Sequence, residues 1–141
     1  MAKEEISLSG LDMSAFPDKY VALLASMCMV CEPSVFKRGF LGIRRVYGYY
    51  IPSSETDLNI AKALFANNGI KMQVHNSKII NYMGQDVLRV SYNRCVDSQY
   101  AYNFMRRVEQ KHIFLYTKSG LEEKRLLNQK VAELKEMYKG R

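Results

Sequence analysis

A chain of 141 residues fits one domain and buries about two-thirds of the surface its unfolded form exposes, so neither disulfides nor metals are required to hold it. An apolar fraction of 48% with 25% charged residues excludes whole-chain disorder. A net charge of +7 favours polyanionic partners, nucleic acid or an anionic surface.

The charge is uneven. Residues 1–32 set Lys3 and Lys19 against Glu4, Glu5, Asp12, Asp18 and Glu32, a net of −3. Residues 33–50 carry Lys37, Arg38, Arg44 and Arg45 and no acid. Residues 85–118 carry six cations against Asp86, Asp97 and Glu109, a net of +3. The excess falls in two blocks, which is how a cationic patch reads in sequence.

The start, Met1 to Glu5, is acidic and lacks the basic-then-apolar order of a secretory signal. The longest apolar stretch, Val21 to Cys31 broken only by Ser26, is about half a membrane span. Both features predict a cytoplasmic protein with no membrane partner. Three cysteines, an odd count, read as free thiols.

Residues 1–13 read as a flexible arm. An apolar helix is expected within 14–32, from about Pro17 to Cys31. Pro17 suits a first turn, Asp18 complements the positive helix end, and Pro33 forbids continuation. Tyr20, Val21, Leu23, Leu24, Met27, Cys28, Val30 and Cys31 surround most of its axis, the mark of a buried helix. Residues 33–43, with Pro33, Gly39, Gly42 and three large apolar residues, read as a basic loop pinned to the body.

The segment 44–117 has the clearest order. Arg45 to Ile51, rich in valine and tyrosine, predicts a strand. Ser54 and Asp57 form a capping box, and Leu58, Ala61, Leu64 and Phe65 mark one helical face. Asn67 to Gly69 supplies a left-handed stop. Ile70–His75 and Ile79–Tyr82 read as one interrupted strand, and Asp86–Asn93 as its hairpin partner. Asp97 caps a second helix bearing Ala101, Phe104, Met105 and Val108. Ile113–Tyr116 reads as a final short strand. The resulting βαββαβ order is the ferredoxin-like α+β arrangement, an antiparallel sheet with two helices on one face.

A C-terminal amphipathic helix is expected over 119–139, with Ser119 and Glu122 as a capping box. Leu127, Val131, Leu134 and Tyr138 form an apolar seam. Such a seam serves either packing within the domain or a homodimer.

The Cys28/Cys31 pair has the spacing of zinc and redox sites. It lies at the wrong end of its helix for thiolate activation, and Cys95, His75 and His112 supply no second pair. Core packing is the better reading, so no metal and no cofactor are expected. No glycine-rich phosphate loop accompanies Ser53 and Ser54, and neither histidine has a neighbouring triad member in sequence. No motif supports catalysis, and an enzyme using a cleft between the sheet and the C-terminal helix is the third reading.

Alternation along the strands puts Tyr47, Tyr49, Lys71, His75 and Arg89 on the open sheet face, with Arg45, Ile51, Gln73 and Ser91 at outward positions of the same strands. Rings beside cations suit single-stranded nucleic acid, although the aromatic run typical of RNA-recognition modules is absent. The sequence therefore predicts a nucleic-acid-binding accessory protein. Lys37, Arg38, Arg44, Arg45, Arg89, Arg106 and Arg107 meet phosphates, and Tyr47 and Tyr49 stack on bases. The rival reading is a protein–protein interaction module, an assembly component or an inhibitor, motivated by two extra apolar helices, eight methionines and ten tyrosines.

Overall fold

The computed structural model describes residues 7–27, 34–38, 43–50, 55–82, 84–93 and 98–139. Side chains are described for 7–27, 56–70, 81, 84 and 99–138. Four helices run Lys19–Met27 (α1), Glu55–Asn67 (α2), Ser98–Leu115 (α3) and Leu121–Lys139 (α4).

The helices share one core. Leu23 and Leu24 of α1, Ile60, Leu64 and Phe65 of α2, Met105 and Leu115 of α3, and Leu127 and Leu134 of α4 are all fully buried. At nine residues α1 is too short to hold alone, and burial of its apolar surface is what keeps it helical. The Asp18 backbone carbonyl starts it by accepting the Ala22 N–H at 2.9 Å. Leu8, Leu11, Met13 and Phe16 are buried in the same core. The segment read as a flexible arm is therefore docked over residues 8–13.

The stop after α2 has the form that Asn67 to Gly69 led one to expect. Gly69 has φ of 76°, its N–H reaches the Ala66 carbonyl, and the Ile70 N–H reaches the Phe65 carbonyl. That is the paired carbonyl capping of a Schellman turn.

The ferredoxin-like α+β fold is corrected. The part of the chain described down to its side chains is 76% helix, in four helices, and holds no sheet. The sequence reading erred at two places. Ile113–Leu115, read as strand, lies in the last turn of α3. The helical spacing of Ala101, Phe104, Met105 and Val108 runs on to the buried Leu115, and tertiary burial overrides the β propensity of Ile113 and Tyr116. Residues 33–43, read as a loop, include a strand at Ser34–Arg38.

Strands are described by their backbone alone: Ser34–Arg38 (β1), Ile43–Tyr50 (β2), Lys71–Tyr82 (β3) and Gln85–Asn93 (β4). They pair antiparallel in the order β1-β2-β4-β3. Among the described residues no strand follows α3, so the order is not βαββαβ. A register shift between His75 and Ile79 marks the interruption expected at Asn76 to Lys78.

Helix α2 lies against β3, and α3 against β1, β2 and β4. The rings of Phe65 (α2) and Phe104 (α3) meet edge to face at 5.8 Å, so both helices are on one side. Helices α1 and α4 touch other helices and none of the four strands. The layers therefore run sheet, then α2 and α3, then α1 and α4. The seam of α4 is used inside the chain, since Leu127, Val131 and Leu134 are all buried.

Candidate functional site

Seven of the nine sequence-named residues fall on three adjacent strands: Lys37 and Arg38 on β1, Arg44, Arg45, Tyr47 and Tyr49 on β2, and Arg89 on β4. The backbone register sets Tyr49 opposite Arg89, Arg89 opposite His75, and Tyr47 opposite both Ser34 and Ser91. Phe36 pairs with Arg45 and Arg38 with Ile43. Pleat alternation then puts Arg38, Arg45, Tyr47, Tyr49, Arg89, Lys71 and His75 on one side of the sheet. Val35, Val46, Val74, Leu88 and Val90 share the other side with Lys37 and Arg44.

The remaining two, Arg106 and Arg107, are on α3 and not on the strands. Arg107 donates to Asp18 Oδ2 at 3.1 Å, and its guanidinium carbon stands 5.3 Å from the Phe104 ring centre. Arg106 lies 3.9 Å from Glu109. Both guanidinium groups thus meet carboxylates of this chain, and a phosphate would have to compete with them.

Arg107 borders a cleft of about 470 Å³ where the start of α1 faces α3 and α4. Phe16, Pro17, Val21 and Ala22 supply its apolar lining, and Asp18, Gln110, Lys111 and Glu123 its polar lining. Lys111 Nζ is 2.5 Å from Glu123 Oε2. Each cation of the cleft is matched by one acid, so its charge is locally balanced.

His112, expected at the start of a strand, is in the last turn of α3. Its Nδ1 is 3.0 Å from the Ala25 carbonyl, which ties the ends of α3 and α1 together. Cys28, Cys31 and Cys95 lie outside the described residues. Among the described residues no group of three His, Cys, Asp or Glu side chains is placed to hold a metal ion. No described helix is long and apolar enough to cross a membrane.

Exposed side chains of α4 show local charge coupling. Arg125 donates to both carboxylate oxygens of Glu122, at 3.2 and 2.5 Å. That hydrogen bond, and then the guanidinium charge, hold the Glu122 carboxyl below its usual range and raise Arg125. Before α1, Asp12 accepts from the Ser14 hydroxyl and N–H, which lowers its carboxyl in the same way.

Sequence reasoning missed β1 and the corner between α3 and α4. A signal for β1 was present: Val35 and Phe36 precede, and Ile43, Val46 and Tyr47 follow, a short stretch holding Gly39 and Gly42, the composition of a hairpin. At the corner the cap is Thr117, two residues before the expected Ser119. Its Oγ1 donates to the Phe114 carbonyl at 2.6 Å and accepts the Gly120 N–H at 3.2 Å. Five of the six exposed large apolar side chains among the described residues, Ile113, Phe114, Tyr116, Leu121 and Leu126, lie on or beside this corner.

No protein-family model, no curated protein and no solved structure matches this chain.

Proposed function

We propose that this chain is a non-catalytic nucleic-acid-binding accessory protein that binds through one side of its sheet. One observation carries the reading. The side shared by Arg38, Arg45, Tyr47, Tyr49, Arg89, Lys71 and His75 holds no aspartate or glutamate at any paired position of the register. Asp86, paired with Asn81, falls on the valine side. A surface with guanidinium groups, rings and no carboxylate attracts a phosphate backbone and offers it nothing that repels.

The layering supports the same reading. A side rich in valine needs the helices, and α1 and α4 stack beyond α2 and α3 instead of across the sheet. Lys37 and Arg44, opposed in register next to the end where β1 leads into β2, fall on the valine side and are not assigned to the interface. Arg106 and Arg107 are assigned to the helical body and not to the interface.

Binding of a labelled oligonucleotide to the full chain, followed at rising salt, tests the proposal. The expected result is affinity at low salt that falls as salt rises, because phosphate contacts release counterions. Absence of binding at low salt, or affinity indifferent to salt, overturns it.

A further inference from the structure

We infer that this interface selects single-stranded over duplex nucleic acid, an inference that rests on the function proposed above. Tyr47 and Tyr49 stand two residues apart on a central strand, about 7 Å along it. Arg45 precedes them on the same side. Arg38 is the diagonal neighbour of Arg45 on β1, and Arg89 is directly opposed to Tyr49 on β4. The juxtaposition is two ring-bearing positions bracketed by guanidinium-bearing positions on three adjacent strands.

The two kinds of residue ask for different things. Guanidinium groups accept phosphates from any nucleic acid, duplex included. A ring stacks only on a base that is unpaired and turned out of its own stack. A duplex is read with an element that enters a groove, most often a helix. The described helices α2 and α3 share one side of the sheet, and apolar burial favours the valine-bearing side for them, so on the other side a duplex meets phosphate-binding groups alone. The ligand class that uses both residue types is an unpaired stretch of at least two consecutive bases. Stacking tolerates every base, so sequence preference is weak.

The test uses the full chain and a short labelled oligonucleotide, alone and annealed to its complement, the two forms compared at each of several salt concentrations. The single strand is expected to bind roughly tenfold or more tighter than the duplex. Joint Tyr47→Leu and Tyr49→Leu substitution is expected to bring the single strand down to the duplex level, with the salt dependence kept. Tyr47→Phe with Tyr49→Phe, which retains the rings, is expected to keep the preference. Equal binding of the two forms overturns the inference, as does an unchanged preference in the leucine variant. If the leucine variant misfolds, the unaltered protein is offered an abasic strand, which must bind as weakly as duplex. An abasic strand bound as tightly as the normal one overturns the inference. Salt-independent or absent binding of both forms is a different failure, that of nucleic-acid binding itself.

Discussion

Lys135 Nζ, on α4, lies 2.9 Å from Oδ1 of Asp57, a residue of α2 that is only 2% exposed. Asp57 takes the third position of α2, where its charge also favours the positive helix end. The Lys135 contact is a charge contact without hydrogen-bond alignment, and the lysine keeps one side in water. Removing it leaves a buried carboxylate with less compensation. Lys135→Met is therefore expected to destabilise the protein by about 1–3 kcal/mol. Adding Asp57→Asn to that variant should recover part of the loss. Urea unfolding of the single and double variants measures both, and a neutral Lys135→Met contradicts the account.

The joint between α3 and α4 leaves no room at Gly120. A Cβ there would collide with the Phe114 carbonyl oxygen and come within 2.9 Å of its carbonyl carbon and the Leu115 Cα. These are backbone atoms, so no rotamer change relieves the contact. Gly120→Ala is expected to cost at least the upper part of the usual overpacking range of about 1–3 kcal/mol. Ser119→Ala, exposed and one residue away, should change little. Thermal unfolding of the two variants side by side checks the contrast, and equal melting temperatures refute it.

Glu122 and Arg125 set a dependence on pH whose sign is fixed. The folded-state value of the Glu122 carboxyl lies below the ordinary 4.5, mainly because Arg125 hydrogen-bonds its charged form. A depressed value of this kind adds stability above the unfolded value and loses it as pH falls through the folded value. Both groups are exposed, so the contribution is small and screened by salt. An NMR titration should show the Glu122 carboxyl titrating below 4.5 in the parent and moving up toward it in Arg125→Gln. No movement would show that the pair does not persist in solution.

Arg107 and Arg89 should behave differently toward nucleic acid. Arg107 meets Asp18 and the Phe104 ring on the helical body, whereas Arg89 sits in register between Tyr49 and His75. Arg89→Gln is expected to weaken oligonucleotide binding and reduce the salt dependence by about one phosphate contact. Arg107→Gln is expected to leave both nearly unchanged, and also to leave stability within about 1 kcal/mol, because its ion pair is exposed. Equal losses from the two variants would place the interface elsewhere.

How much of this was legible in the residues depends on the kind of signal. The turn after α2 was readable because Asn67 to Gly69 acts through local backbone geometry. The start of α1 was expected at about Pro17, whereas the helix begins at Lys19 and the Asp18 carbonyl accepts its first hydrogen bond. The end of α3 was not readable. Ile113 to Tyr116 favours a strand by local propensity, and only contact with the core decides that Leu115 is buried in a helix. The docking of Leu8, Leu11 and Met13 is likewise a tertiary fact, invisible in a short polar-looking segment. For the candidate site, alternation along single strands placed Tyr47 and Tyr49 with Arg89. Edge strand β1 was lost because Gly39 and Gly42 made its surroundings look like loop. Charge blocks could not separate Arg106 and Arg107 from the strand cations, since position along the chain carries no information about layer.

Backbone amide shifts on titration with a short single-stranded oligonucleotide test the central claim most directly. The account predicts the largest changes along Arg45–Tyr49 of β2 and Arg89–Ser91 of β4, with smaller ones at Arg38 and His75. Changes confined to the cleft around Phe16, Arg107 and Lys111, or no changes at low salt, would contradict it.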